Sequence, residues 1–439
     1  MKQNWQQKIV LLFIVSVALF ATGLSCGGGG NPEQPAVTLK FWKPFDSSDK
    51  WQPIIAAYQE ARPGVAVEYS QKNPETYTED LLQAMAAGLG PDVFSVRNDS
   101  LPRFRDKIQP APVELMSIRE YRESFIDVTA SDFIEDNKIY AIPAAVDILA
   151  LFYNRDMLSS AGLARPPATW PELTNAISKL TQTQSGQIKK SAIALGTSTN
   201  VNRATDILQL LMLQSGVEFY DTTKSNVTIS RGQTDENGDT PAARSLRFYA
   251  QFADPVSKVY TWNSKLNYSI DAFAQNQVAM IFGYSYLIPT LSAKQAFLDY
   301  GIAGVPQVDN SNARVNYASY WGETVWVGSK NGGVAWDFIK FANTFEQNKK
   351  YIELTRQISS RRDVLATQQK DPILGIFADN ALSAKSVPKP DVPQTEKILN
   401  DAIDDVSLAG LTPKAAVQKI EEKLRLLINK YPLKETTGF

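Results

Sequence analysis

The chain has 439 residues, enough for two or three domains, and its 44% hydrophobic and 21% charged residues are typical of a globular protein. Its 45 lysines and arginines nearly balance 46 aspartates and glutamates, so no broad basic field exists to attract nucleic acid. Histidine is absent and there is one cysteine, which excludes Ser-His-Asp and Cys-His catalysis, histidine-ligated zinc and an intrachain disulfide.

The beginning of the chain has the pattern of an export signal. Lysines precede an apolar run over residues 9–24, and small residues lead into Cys26. The run is shorter than a membrane-spanning helix normally requires. The glycines and prolines that follow are typical of a flexible tether. We therefore predict a signal peptide over residues 1–25 and a tether over residues 26–36, with an uncleaved signal anchor as the alternative.

Strands and helices alternate in the first part of the globular region. Apolar periodicity predicts strands over residues 37–42, 65–69 and 93–96, and helices over residues 51–61 and 77–87. This order favours a parallel sheet covered by helices. Ligands of such sheets lie beyond the carboxyl ends of the strands, so residues 43–48 and 97–100 are the first candidates for ligand contacts.

The middle of the chain has the pattern of a crossover between two lobes. Residues 139–150 are mostly apolar but contain Pro143 and the charged Asp147. A capping box of Thr169 and Glu172 predicts a helix start. The later predicted helices cover residues 206–214, 246–253, 268–276 and 334–345 and a last helix after Thr412, and the later strands cover residues 278–282, 302–305 and 324–327, with an aromatic loop over 317–323.

Several motifs are characteristic of one protein family. The most specific runs from Ile139-Tyr140-Ala141-Ile142-Pro143 through Tyr153-Asn154-Arg155-Asp156 to Pro166-Pro167-Ala168-Thr169-Trp170-Pro171-Glu172-Leu173. Weaker matches in the same order are Gly90–Phe94, Phe273–Met280 and Ala335–Lys340. These motifs span nearly the whole chain after the signal. In them the chain resembles the extracellular solute-binding proteins of ABC importers, in the family that includes the maltose-binding protein.

The resemblance implies an α/β fold of the periplasmic-binding-protein-like type II class, with a hinge and a ligand cleft between two lobes. By analogy, lobe 1 takes residues 37–145 plus 303–350, and lobe 2 takes residues 146–302 plus 351–439. It also implies a non-enzymatic, monomeric lipoprotein without a cofactor or metal, anchored outside the cytoplasm through lipid on Cys26. Such a protein captures a solute, most often a carbohydrate, and delivers it to the subunits of a membrane permease.

The candidate site residues combine aromatic faces with hydrogen-bonding groups at predicted strand ends and in the crossover. Each aromatic residue could instead belong to the hydrophobic core. Glu323 could instead be a solvated loop acid, and Arg361 could belong to a solvated face. The ligand-binding candidates are Trp42, Phe45, Asp46, Arg97, Asn98, Asp147, Tyr284, Ser285, Tyr286, Trp321, Gly322, Glu323 and Arg361.

The choice of ligand stays open at this stage. Ser285 stands where the family often carries tryptophan, and Thr395 and Glu396 stand where maltose-type proteins carry an aromatic platform. The cleft therefore need not hold maltodextrin, and these departures favour an oligosaccharide or monosaccharide of another kind, with a peptide, polyol or polyamine as alternatives. Two other roles are a sensor that signals to a membrane receptor and a glycoside hydrolase with two carboxylates, although no catalytic motif frames such a pair.

Overall fold

Two mixed five-stranded sheets organise the protein, as seen in a computed structural model that describes residues 36–309 and 313–434. The predicted signal peptide, most of the tether and Cys26 lie outside the described residues. The strands are β1 (Val37–Lys43), β2 (Val65–Gln71), β3 (Val93–Arg97), β4 (Ile108–Gln109), β5 (Ile134–Glu135), β6 (Lys138–Ile139), β7 (Ala145–Val146), β8 (Ala150–Asn154), β9 (Gln182–Gln184), β10 (Gln187–Ile193), β11 (Val278–Gly283), β12 (Tyr300–Gly304), β13 (Asn316–Tyr317), β14 (Trp321–Trp326), β15 (Ile358–Ser359) and β16 (Ala384–Lys385).

Helices cover the faces of these sheets. Thr169 accepts a hydrogen bond from the backbone N–H of Glu172, which confirms the predicted start of one helix. The helices are α1 (Ser48–Ala61), α2 (Tyr77–Ala86), α3 (Leu101–Phe104), α4 (Ile118–Ser124), α5 (Asp127–Phe133), α6 (Arg155–Ser160), α7 (Trp170–Leu180), α8 (Ala204–Gln214), α9 (Pro241–Ala250), α10 (Ser269–Ala274), α11 (Leu287–Lys294), α12 (Gly332–Ala342), α13 (Phe345–Thr355), α14 (Arg362–Gln368), α15 (Gly375–Ala381), α16 (Val392–Ser407) and α17 (Pro413–Lys430).

The first sheet has the order β2-β1-β3-β14-β4. Strand β1 pairs in parallel with β2 and β3, as the alternation of strands and helices predicts. Strand β14 comes from far along the chain and pairs antiparallel with both β3 and β4. Its insertion brings Trp321 opposite Arg97, so the two side chains leave the same face of the sheet.

The second sheet has the order β12-β8-β11-β10-β9. Strands β10 and β11 are parallel, and β8 is antiparallel to β11 and β12. The carboxyl end of β11 therefore lies beside the start of β8, where Gly283 pairs with Ala150. This edge is where the candidates Asp147, Tyr284, Ser285 and Tyr286 leave the sheet.

Three short segments carry the chain between the two sheets, and in chain order we call them the first, second and third crossover: residues 142–148, 318–320 and 358–360. Residues 142–148 pair through Ile142 with Glu323 and through Ile148 with Ala318, and β15 pairs with β7. Two of the predicted lobe boundaries, at residues 303 and 350, fall inside elements of the structure. Residue 303 lies inside β12 of the second sheet, and residue 350 lies inside α13, which packs against α1 beside the first sheet.

The predicted aromatic loop over residues 317–323 is wrong in its second half. Strand β14 already begins at Trp321, so Gly322 and Glu323 lie inside the strand and are buried. A glycine and a charge suggest a loop in sequence, but the buried ammonium of Lys43 offsets the charge of Glu323. Among the described helices, none has the length and apolar character needed to cross a membrane.

Candidate ligand-binding site

A buried ion pair joins the end of β1 to the interior of β14 in the first sheet. Lys43, the last residue of β1, places its ammonium 2.5 Å from Glu323 Oε1 and 3.7 Å from Asp46 Oδ2. Burial lowers the pKa of Lys43, but the two carboxylates outweigh this effect and hold it above its usual value. Glu323 is thus a satisfied structural acid, and the alternative of a solvated loop acid is wrong.

Asp46 is fixed by its backbone as well as its side chain. Its φ is 67°, in the left-handed region, and its carboxylate accepts hydrogen bonds from Tyr351 (2.7 Å) and Gln357 (3.2 Å). The hydroxyl of Tyr69 donates to its carbonyl over 2.6 Å. A non-glycine residue keeps such a conformation only where its surroundings enforce it, which is common at binding sites. These contacts position the neighbouring Phe45.

Aromatic rings form an exposed edge on the first sheet. Phe45 is 45% exposed and meets Trp321 edge to face at 5.7 Å between centroids. Trp321 in turn meets the buried Tyr77 at 5.8 Å. Trp42, the fourth aromatic, lies under the ammonium of Lys72 at 3.6 Å. Phe45 and Trp321 therefore present flat apolar surface at this edge, whereas the ammonium of Lys72 covers Trp42.

The structure brings Asp147 together with the end of β11. Both carboxylate oxygens of Asp147 accept from Ser285, one from its N–H and one from its hydroxyl, each over 2.9 Å. The N–H of Ile148 donates to the same carboxylate. Burial raises the pKa of Asp147 to about 6, although these hydrogen bonds work in the opposite direction. Asp147 thus has the partner that its apolar surroundings required.

The tyrosines beside Ser285 divide into one buried and one exposed ring. Tyr284 is buried and donates from its hydroxyl to Asp206 over 2.9 Å. Tyr286 is 47% exposed, and its ring lies 6.0 Å from that of Tyr284. The guanidinium of Arg203 lies over Tyr284 at 5.3 Å. Tyr286 is therefore the ring that this edge of the second sheet presents to solvent.

Asn98 faces the protein interior. Its side chain donates to Asp132 over 2.9 Å and accepts from the N–H of Tyr320 over 3.1 Å. The hydroxyls of Tyr320 and Ser386 also donate to Asp132. With its amide engaged on both sides, Asn98 positions the segment after β3.

Arg97 takes part in an ionic network that spans the two sheets. Its guanidinium lies 2.7 Å from Asp99 and 2.8 Å from Glu396, which belongs to α16. The ammonium of Lys389 is fully buried and lies 3.2 Å from Asp99 and 3.1 Å from Glu396. It also lies 3.4 Å from Asp206, which pairs with Arg203 at 2.5 Å. We call the six residues Arg97, Asp99, Arg203, Asp206, Lys389 and Glu396 the cleft network.

The pKa values in the cleft network reflect strong pairing. Burial alone would raise the pKa of Asp99, of Asp206 and of Glu396, but all three lie below their usual values. Arg97 and Lys389 lower the value of Asp99, Arg203 and Lys389 lower that of Asp206, and Lys389 and Arg97 lower that of Glu396. The acids are therefore ionised at neutral pH.

Beyond Arg97, little in the sequence indicates the cleft network. Asp206 was visible as a charge at the start of an apolar helix, and Glu396 as a departure from the family pattern. Lys389 lies between prolines in a segment without periodicity, so nothing marked it as buried.

Arg361 stands apart from the other candidates. Its guanidinium pairs with Asp363, donates to the carbonyl of Asn343 and lies over the ring of Phe125. These contacts hold the start of α14 near the third crossover. The structure thus places Arg361 in the packing around this crossover.

One depression of the surface lies away from these residues. It has a volume of about 200 Å³ and is lined by Asn154, Asp156, Lys179, Lys190 and Asn276, among others. Asn154 is the last residue of β8, at the other end of that strand from Asp147. The depression is therefore separate from the candidate site. No group of three or more acidic or cysteine side chains in residues 36–309 and 313–434 is arranged to hold a metal ion.

Comparison with known proteins identifies the family. Residues 53–376, well over half of the chain, match the family model described as bacterial extracellular solute-binding protein. The chain belongs to this family. The predicted solute-binding role and extracytoplasmic location are confirmed at the level of the family, whose members are binding proteins.

Relatives in the solute-binding family match over nearly their full length. The galactooligosaccharide-binding protein of Bacillus subtilis is 22% identical over 424 residues, which cover 94% of each chain. The maltodextrin-binding protein of the same organism is 23% identical over 438 residues, covering 94% of this chain and 97% of the relative.

Solved structures confirm the predicted type II periplasmic-binding-protein-like fold. The cyclic α-maltosyl-1,6-maltose binding protein of Arthrobacter globiformis superposes with a TM-score of 0.75 at 16% identity, over 90% of this chain and 99% of that protein. An ABC transporter solute-binding protein of Thermotoga lettingae, bound with α-D-tagatose, superposes with a TM-score of 0.69 at 22% identity, over 89% of this chain and 99% of that protein.

Proposed function

We propose that this solute-binding protein captures a carbohydrate between its two sheets and delivers it to a membrane permease of an ABC importer. The observation that supports the proposal is that exposed aromatic rings lie beside fixed polar groups at strand ends of both sheets. Phe45 and Trp321 supply apolar faces from one sheet, and Tyr286 supplies one from the other. Sugar rings have apolar C–H faces and many hydroxyls, which is the chemistry that such a site complements.

The relatives support the same class of ligand. Proteins named for binding galactooligosaccharide and maltodextrin match nearly the whole chain, and the solved structures include complexes with tagatose and maltotetraose. We propose that each sheet with its helices forms one lobe. The hinge then consists of the three crossovers, residues 142–148, 318–320 and 358–360, and the lobes close on the solute. Capture and release of this kind need no catalysis.

We further propose that the protein is a monomer anchored to the membrane through Cys26. The charged and apolar run before Cys26 and the tether after it support this arrangement. Mass spectrometry of the protein from the membrane fraction is expected to show lipid on Cys26. Replacement Cys26→Ala should move the protein from the membrane to the soluble fraction, and an unchanged distribution would contradict the anchor.

The carbohydrate assignment is tested by thermal unfolding with a panel of saccharides. The panel contains D-tagatose, β-galactooligosaccharides, maltodextrins and manno-oligosaccharides, and a bound ligand raises the unfolding temperature with concentration. Phe45→Ala should weaken binding of the active saccharide by about tenfold, because it removes an exposed apolar face. Phe297→Ala is the matched control, since Phe297 is 95% exposed elsewhere on the surface. A panel without any response would refute the carbohydrate assignment.

A further inference from the structure

We propose that the cleft network closes one end of the ligand cleft and restricts the solute to a short, neutral saccharide of one or two units. This inference rests on the proposed carbohydrate binding and adds a limit on ligand length and charge. The limit arises from the ion pair between Arg97 and Glu396, which joins β3 of the first sheet to α16, a helix that packs against α8, α9 and α17.

The position of Arg97 places this ion pair next to the aromatic edge. Arg97 lies directly opposite Trp321 in the β3–β14 ladder, so the two side chains are neighbours on one face. On the second sheet, Tyr284 links the exposed Tyr286 to Asp206 of the cleft network. Aromatic rings and ionic network are therefore adjacent on both sides of the cleft, and a saccharide lying against the rings meets the ion pair next.

Lys389 makes the ion pair costly to displace. Its buried ammonium contacts Asp99, Asp206 and Glu396. The backbone N–H of Lys389 donates to the backbone carbonyl of Asp99 over 2.7 Å. A ligand that pushed Glu396 aside would leave Arg97 and Lys389 short of a partner in a buried environment. Removing one partner of a buried charged group is strongly unfavourable.

The charges of the cleft network also select a neutral ligand. Three cations, Arg97, Arg203 and Lys389, face three anions, Asp99, Asp206 and Glu396, so their formal charges cancel. An acidic or basic sugar would bring an uncompensated charge beside this balanced set. A neutral hydroxyl can instead hydrogen-bond to the exposed part of Arg97 or Glu396 while the ion pairs persist.

Phe45 and Tyr286 are each nearly half exposed, so a longer saccharide that passes these rings projects into solvent. Additional units then find few new contacts. The expected signature is an affinity that stops rising beyond the disaccharide, because the network blocks one direction and solvent fills the other.

The test is a titration series from monosaccharide to hexasaccharide for each active linkage of the panel, by calorimetry on the full-length protein. We expect the affinity to level off at the disaccharide, with the corresponding uronic acids and amino sugars at least about tenfold weaker. Glu396→Ala should open the blocked end, so that longer saccharides gain about tenfold relative to the disaccharide. Glu396→Gln, which keeps the side-chain volume, should preserve the limit on length.

Asp401→Ala provides the matched control on the same helix. Asp401 pairs with Lys397 on the exposed side of α16, and its loss should leave the length preference unchanged. A wild-type affinity that continues to rise through the tetrasaccharide, or tighter binding of a charged sugar, would overturn the inference while leaving carbohydrate binding intact. A complete lack of saccharide binding would instead refute the proposed function.

Discussion

Ser285 and Asp147 are joined by two hydrogen bonds of 2.9 Å each, from the N–H and the hydroxyl of the serine to the two carboxylate oxygens. They tie the end of β11 to the first crossover. Hydrogen bonds to charged groups contribute about 1.5–3 kcal/mol, so Ser285→Ala should lower the free energy of unfolding by about this amount at neutral pH. Urea denaturation measures it, with Ser292→Ala on the exposed face of α11 as the control. Equal losses in the two variants would show that the carboxylate contact is not stabilising.

Asp132 should make stability depend on pH. Burial raises its pKa to about 6 from a normal value of 3.8, against the hydrogen bonds from Ser386, Tyr320 and Asn98. Between these values the folded protein keeps a proton that the unfolded chain has lost. The stabilising contribution of protonated Asp132 to the free energy of unfolding is therefore complete below about pH 4. It is lost as the pH rises through about 6.

The variant Asp132→Asn removes this titration. Its stability relative to wild type should increase by about 2–3 kcal/mol between about pH 4 and pH 7, since one pKa unit corresponds to about 1.4 kcal/mol. Denaturation at the two pH values gives the difference. Asp156→Asn, on the exposed first turn of α6, should show no such change. A flat difference for Asp132→Asn would mean that Asp132 is already ionised in the folded protein at low pH.

Lys389→Met should destabilise the protein strongly. The substitution keeps an unbranched side chain but leaves Asp99, Asp206 and Glu396 without their shared cation. Removing one partner of a buried ion pair lowers the free energy of unfolding by about 3–5 kcal/mol. Lys397→Met, which removes only an exposed ion pair on α16, should cost less than about 1 kcal/mol. Similar unfolding midpoints for both variants would argue against an energetic role of the cleft network.

Gly322→Ala should also be destabilising, for steric reasons. A Cβ at this position would lie 2.7 Å from Phe133 and 3.0 Å from Ala141. Overpacking of a buried site costs about 1–3 kcal/mol. Gly333→Ala is the matched control, because a Cβ there has no neighbour within 4 Å and alanine favours the helix. Thermal unfolding distinguishes the two, and a harmless Gly322→Ala would show that Phe133 moves freely.

The fold was largely predictable from the sequence, whereas the site was only partly so. Periodicity located β1, β2, β3 and the helices between them, because local patterns determine such elements. It misplaced the start of β14, since the burial of Glu323 depends on Lys43, 280 positions earlier in the chain.

The same limit applies to the site. Asp147 was identifiable because a charge in an apolar run requires a partner. Lys389 was not, because its partners Asp99 and Asp206 lie far away in sequence, and no local pattern records them. Arg97 was identifiable from its place after a strand, but its partner Glu396 required the structure.

The insertion of β14 between β3 and β4 has a consequence for biosynthesis. A chain leaving the ribosome carries β1, β2 and β3 early, yet their sheet lacks its inner antiparallel strand until residues 321–326 have been made. The packing of α13 against α1 waits for residues 345–355. Long-range pairing of this kind slows folding. A nascent chain therefore stays unable to complete its first sheet through roughly the first three quarters of its synthesis, an interval in which it remains open to chaperones and to a translocation machinery.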